Sequence, residues 1–339
     1  MTSITSFSVA ELCGLARHGD LGETIGVAAG MPVVLVENPA DSPVDENAGP
    51  HVGCIELLRA EIATLPCVLL AFPGVDPGVT SLADVLPDPE HLDAVIATVL
   101  GNPIAATTLA MLLRGGEARS VGAGLVAESF AYSALQAGTE FHAWRQGTPV
   151  RTAAETPTGA PVLMQRRDDT LTITFDRPGR HNAFDTPTRD ALIDALLVAV
   201  ADDSLRVVLR GNGPSFCSGG DLDEFGSRSD PASAHVIRLS RSAARLVARL
   251  SPRLVVEVHG ACLGSGIELA AFAGHVRAHP ATRFALPEVS LGLIPGAGGT
   301  VSLPRRIGRH RTALLALMGT TIDATTALAW GLIDEIGQP

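Results

Sequence analysis

The sequence predicts an α/β protein in two parts, and three observations carry that expectation. Across residues 161–339, short runs rich in β-branched residues alternate with stretches of helical periodicity, which implies helices layered on sheet. A stretch without hydrophobic periodicity, TPVRTAAETPTGAP at 148–161, separates that region from what precedes it. Before the seam, a small α/β piece gives way at Pro89 to a helical pattern that runs almost to Gln146. The expected organisation is an α/β plus helical domain at 1–147, a linker at 148–160 and a second α/β domain at 161–339. With 339 residues, 46% of them hydrophobic and 18% charged, the chain can bury two cores, which excludes a disordered protein.

In chain order, residues 31–36 and 67–72 read as strands, with a helix at 54–64 between them. After the seam, TLTITF at 170–175 reads as a strand and 188–200 as a helix with Leu192, Leu196 and Ala199 on one face. LRVVLR at 205–210 is a buried-type strand, 234–250 a helix, LVVEV at 254–258 a strand, and 266–273 an apolar helix.

Composition removes several function classes. A net charge of −11 argues against nucleic-acid binding, because neutralising phosphates needs clustered positive charge. All 25 basic residues are arginines, so a P-loop lysine, a Schiff base and pyridoxal phosphate attachment are excluded. The five cysteines form no C-x-x-C pair, so neither a zinc site nor a disulfide framework is expected, and no metal is assigned. No basic, apolar leader opens the chain and no run is long and apolar enough to span a membrane; the expected location is cytoplasmic.

Three motifs are near misses. Gly211-Asn212-Gly213-Pro214-Ser215-Phe216 begins like a dinucleotide fingerprint but ends on phenylalanine. Leu263-Gly264-Ser265-Gly266-Ile267 lacks the glycine spacing of a nucleophile elbow. Pro295-Gly296-Ala297-Gly298-Gly299-Thr300 lacks the lysine of a phosphate cradle.

What remains is two strand-to-helix turns and two glutamates. The first turn, Ser215 to Leu222, carries paired glycines that leave backbone N–H groups unpaired, with Asp221 as a helix cap. The second, His259 to Leu269, runs into a helix whose first-turn N–H groups sit at the positive end of the dipole. Two such donors aimed at one point would make an oxyanion hole. Glu268 and Glu288 lie among apolar residues, where a carboxylate is costly unless paired or used, and are the candidate acid/base pair. Cys217 reads as a packed residue rather than a nucleophile, and His259, His275 and His279 as structural.

From about 162 to 337, the chain resembles the crotonase superfamily, the enoyl-CoA hydratase/isomerase family. The likeness rests on Arg177-Pro178 through His181-Asn182-Ala183, the turns SFCSGGDL and GACLGSGIEL, the stretch LPEVSLGLIPGAGGT and ALAWGLIDEI near the end, five motifs in the family's order. It implies a ββα spiral core that binds an acyl-CoA, with the thioester oxygen between the N–H groups of Gly220 and Ser265. It further implies that Glu268 activates water, that Glu288 exchanges a proton at the α-carbon, and that Gly296 helps place the water. Ser218 and Ala183 fall at substrate-binding positions, and Arg180 could meet a CoA phosphate. No cofactor is implied beyond the coenzyme A of the substrate, and a homo-oligomer, trimer or hexamer, is the implied assembly. Retention of both glutamates favours an enoyl-CoA hydratase over an isomerase or acyl-CoA hydrolase; a non-catalytic acyl-CoA-binding subunit is the rival from another class.

The sequence departs from the pattern in two places. Ser265 stands where the family usually has glycine, and the chain stops at Pro339 where the family continues into a further helical segment. Residues 84–92 and 102–114, and more weakly 124–128 and 141–144, resemble that segment. The expectation is that residues 1–147 are a degenerate crotonase-like unit, devoted to assembly, whose helices cover the second half within the chain or from a neighbouring subunit.

Overall fold

The computed structural model describes residues 4–37, 51–150 and 159–338, so most of the expected linker lies outside the described residues. Strand β1 (Ser6–Ser8) leads directly into α1 (Val9–His18). The Ser8 hydroxyl accepts from the Glu11 amide and the Glu11 carboxylate accepts from the Ser8 amide, a capping box that satisfies two exposed donors at the helix start. No element was expected here; the S-x-x-E spacing was the signal available. With α2 (Leu21–Thr24), β2 (Val33–Glu37), α3 (His51–Ile62), β3 (Val68–Leu70) and α4 (Pro77–Leu82), this segment forms a small layer on a parallel sheet ordered β1-β2-β3. Cys13 and Cys54 are joined by a disulfide with Cα atoms 6.0 Å apart, a bond that the expectation of no disulfide framework did not foresee. The packing of α1 on α3 brings together residues 41 apart, a contact that leaves no spacing signature.

The helical stretch after residue 89 is four helices: α5 (Pro89–Gly101), α6 (Pro103–Arg114), α7 (Val121–Gln136) and α8 (Thr139–Gly147). Each break has a local cause. Pro103, without an N–H, sits in the first turn of α6, where no intrahelical donor is lost; Ser120 caps α7 by accepting from the Ala123 amide at 3.2 Å; Gly138 precedes α8.

The second half runs β4 (Val162–Arg167), β5 (Thr170–Phe175), α9 (Thr186–Ala201), β6 (Arg206–Gly211), α10 (Pro231–Ser240), α11 (Ala243–Leu250), β7 (Leu254–Val258), β8 (Ala261–Leu263), α12 (Ser265–Ala270), β9 (His275–Ala278), β10 (Arg283–Ala285), α13 (Gly299–Leu317), β11 (Ile322–Asp323), α14 (Ala324–Trp330) and β12 (Glu335–Ile336). Six strands form one sheet in the order β12-β9-β7-β6-β5-β4, antiparallel only at β4–β5, and β11-β10-β8 form a second. The helix expected over 234–250 is two, because the Ser242 hydroxyl accepts from the Arg245 amide at 3.3 Å and starts a new one.

Buried side chains fall into two clusters. One fills the small layer around Leu12, Ile25, Leu58 and Leu69. The other is shared by both halves of the chain, with Val95, Leu109 and Phe141 in one apolar mass with Ile173, Val207, Ile267 and Leu315. Each such side chain contributes roughly 1.5–3 kcal/mol on burial, so helices α5–α8 are energetically part of the second half's core. A buried ion pair, Asp84 with Arg114 at 2.6 Å, ties the small layer on, and Arg309 of α13 donates to the carbonyls of Ser81 and Ala83 at 2.7 Å each. Among the described residues no single helix is long and apolar enough to cross a membrane; α5 and α6 together pass by length and composition but bend by 109°.

Candidate active site

The two glycine turns lie against each other. Phe216 and Cys217 donate their amides to the carbonyls of His259 and Ala261 at 2.8 and 3.1 Å, and Leu263 returns a bond to Cys217 at 3.0 Å. This pairing sets Gly219–Gly220 beside Gly264–Ser265. Phe184 donates to the Gly219 carbonyl at 2.8 Å and accepts from the Asp221 amide at 3.2 Å, a bridge that leaves the intervening Gly220 N–H outside it. Ser265 is the first residue of α12, where an N–H has no partner in its own helix. Among the described residues, neither amide donates to another protein group. Ser265 Oγ lies 3.9 Å from Cys217 Sγ. Burial pushes the Cys217 thiol up to about 11, so it stays protonated at neutral pH.

Glu268 and Glu288 are 2% and 7% exposed. Glu268 Oε2 accepts from the amides of Ala297 and Gly299 at 2.7 and 2.8 Å. Glu288 Oε1 packs against Gly264, where a side chain would strike it, and its buried Oε2 has no hydrogen-bond partner. Both carboxyls are raised above the usual range, first by burial and then by neighbouring carboxylates; Glu288 reaches about 8. Gly220, Ser265, Glu268, Glu288 and Gly296 line one cavity of about 250 Å³.

The structure adds residues to that cavity that sequence reading missed, among them Arg189, Arg238 and Arg241 of the second half and, from the first half, Glu128 and Tyr132. Glu128 of α7, 1% exposed, accepts from the amides of Gly298 and Thr300 at 2.7 and 2.9 Å and from Thr300 Oγ1 at 2.7 Å. Glu268 and Glu128 thus take alternate amides of the 297–300 segment. Burial raises the Glu128 carboxyl to about 7, against the lowering effect of those bonds. Tyr132, the chain's single tyrosine, lies against Gly296, where a Cβ would fall 2.5 Å from its ring. The available signal was Glu128 in an otherwise apolar and small-residue helix. The helices expected to cover the second half do so within the chain.

Three expected substrate-binding residues, Ser218, Ala183 and Arg180, do not line this cavity. Arg180 pairs with Asp221 and Asp223 at 2.8 and 3.0 Å, so a phosphate would compete with two carboxylates there. Asp221 caps no helix, which corrects that expectation: residues 222–226 form turns, and its carboxylate meets Arg180 and the Asp223 amide. Asn182, 1% exposed, holds the neighbouring loop by accepting from the Arg177 amide and donating to the carbonyls of Asn212 and Ser215.

Two amides without a protein acceptor among the described residues thus share one cavity with two buried carboxyls, and comparison with known proteins supplies the family. The family profile described as enoyl-CoA hydratase/isomerase matches residues 166–338. The chain is 35% identical over 176 residues to the 2,3-dehydroadipyl-CoA hydratase of Escherichia coli K12, covering 52% of this chain and 68% of that one. It is 34% identical over 181 residues to the 1,2-epoxyphenylacetyl-CoA isomerase of the same organism, covering 52% and 69%. The mevalonyl-coenzyme A hydratase SIDH of Beauveria bassiana is 35% identical over 175 residues, covering 49% and 62%. A crystal structure of an enoyl-CoA hydratase from Thermoplasma volcanium aligns with a TM-score of 0.48 at 32% identity, over 53% of this chain and 73% of that one. The chain belongs to the enoyl-CoA hydratase/isomerase family of the crotonase superfamily.

Proposed function

We propose that the protein is an enoyl-CoA hydratase, a lyase that adds water across an α,β-unsaturated acyl-CoA thioester. The observation that carries this reading is the presence of Glu268 and Glu288 on one cavity wall with the free amides of Gly220 and Ser265. In this reading the thioester oxygen accepts from those two amides, which stabilise the negative charge that builds as water attacks. Glu268, with Oε2 held by Ala297 and Gly299, takes a proton from water through Oε1 as the oxygen bonds to the β-carbon. Glu288 delivers a proton to the α-carbon, so the product gains one water in total. The two amide donors favour the charged form of Glu268, while Glu288 Oε2 meets no donor, so the proton of the pair resides on Glu288. Gly296 on the cavity wall is the position for the attacking water.

No cofactor enters this reaction beyond the coenzyme A carried by the substrate. Residues 1–147 serve in this reading as a second crotonase-like unit that roofs the catalytic region, and the assembly is a homo-oligomer. Turnover of crotonyl-CoA and longer enoyl-CoAs, with product followed by mass, tests the assignment. Hydration is expected, with Glu268→Gln and Glu288→Gln each lowering kcat by about 10²–10⁴-fold. Unchanged rates in both variants overturn the assigned roles; a product of unchanged mass assigns an isomerase, and free coenzyme A a hydrolase.

A further inference from the structure

Helices α7 and α10 line part of the cavity, where Ser129, Gln136 and Arg238 stand among the apolar Leu125, Ile237 and Leu239. Arg238 of α10 lines the cavity, and its hydrogen bonds all go to neutral groups. Its Nη1 donates to the Ser129 carbonyl, Ser129 Oγ and Ser133 Oγ at 3.2, 3.0 and 3.1 Å, and its Nη2 donates to Gln136 Oε1 at 3.1 Å. The guanidinium carbon sits 4.4 Å from the centroid of the Tyr132 ring, a cation–π contact that fixes the plane. A guanidinium has five N–H groups, and among the described residues Nε makes no hydrogen bond, so part of the fork that binds carboxylates side-on is unused.

The charge has no direct ion-pair partner among the described residues, although Tyr132 and Glu128 lie close enough to attract it. Arg189 and Arg241, which also line the cavity, both meet Asp190, at 2.9 and 3.1 Å, whereas Arg238 forms no ion pair among the described residues. Glu128 is committed to Gly298 and Thr300. A half-buried cation hydrogen-bonded only to neutral oxygens carries a desolvation cost that an incoming anion offsets. A hydrocarbon tail placed against Arg238 would leave its Nε without a partner, where a carboxylate would accept from it.

We infer that Arg238 receives a carboxylate at the far end of the acyl chain, so that the preferred substrates are 2-enoyl-CoA thioesters ending in a carboxylate rather than a methyl group. This rests on the hydratase reading for its reaction but not for its binding. Of the three buried carboxyls near Tyr132, Glu128 is raised to about 7 and Glu288 to about 8, which lowers the negative charge those two present to such a tail, and Glu268 is the one read as ionised.

The test uses matched pairs of 2-enoyl-CoAs of equal length that end in methyl or carboxylate. Wild-type kcat/KM is expected to favour the carboxylate by about 10–100-fold, the scale of one charge-assisted hydrogen-bonded pair. Arg238→Gln is expected to bring the ratio close to one, and Arg238→Lys, which keeps the charge and loses the fork, to retain part of it. Equal or methyl-favouring rates in the wild type, or an undiminished ratio in Arg238→Gln, overturn the inference. Calorimetric titration with the saturated acyl-CoA pair is run in parallel and should give the same ratio in Kd. If neither enoyl-CoA turns over, the hydratase reading fails alone, and the Kd ratio decides Arg238.

Discussion

Glu128 shows how much one buried carboxylate from outside the recognised motifs can hold. It accepts three bonds from the 298–300 segment, while Glu268 holds the two amides between and before them. Glu128→Gln keeps the shape but turns an amide nitrogen toward a backbone N–H, leaving a buried donor unpaired at a cost of about 1–3 kcal/mol. The expected outcome is a lower melting temperature together with a lower kcat, because Glu268 loses its fixed partners; an unchanged kcat would separate Glu128 from the site. Glu288 adds a pH signature. It keeps its proton up to about 8 when folded, against an ordinary value of 4.5. Between those values the folded chain binds a proton that the unfolded chain has lost, so this group's contribution to stability is highest at the acid end and falls as pH rises toward about 8. Thermal melts of the wild type from about pH 5 to 8 should therefore decline more steeply than those of Glu288→Gln. Parallel curves would show that Glu288 is already ionised when folded.

At the scale of elements, α7 is the piece that joins the two halves of the chain. Its small residues allow close approach: a Cβ on Gly124 would fall 2.8 Å from Val301 Cγ2 in α13. Its Tyr132 ring fills the space beside Gly296, and the Arg238 guanidinium carbon lies 4.4 Å from the centroid of that ring. Gly296→Ala therefore forces a buried ring to move, at roughly 1–3 kcal/mol for overpacking. Adding Tyr132→Leu should restore part of the melting temperature lost in Gly296→Ala. Failure of the pair to recover any of it would mean that the strain arises elsewhere.

For the whole molecule, the shared core makes the second half dependent on the first. Residues 159–339 alone would lack α5–α8, uncover the faces of α10 and α13 on which those helices pack, and lose Glu128. That fragment is expected to be insoluble or inactive, and co-expression with residues 1–150 should restore soluble, active protein. Full activity of the fragment by itself would show that the roof is dispensable.

Read alone, the sequence determined the second half in some detail. The strands at 170–175 and 254–258 have the bounds their β-branched runs predicted, and Glu268 and Glu288 stand out because each lies within a few residues of the glycines that shape its turn. Local chemistry of that kind is written in adjacent letters. The Cys13–Cys54 bond, the hold of Glu128 on Gly298 and Thr300, and an Arg238 Nε free among the described residues were decided by tertiary structure alone. Glu128 meets amides 170 and 172 positions downstream, and a backbone N–H is identical at every non-proline residue. A contact with the main chain therefore leaves no residue type to pair with, and only the packing of α7 onto α13 brings it about.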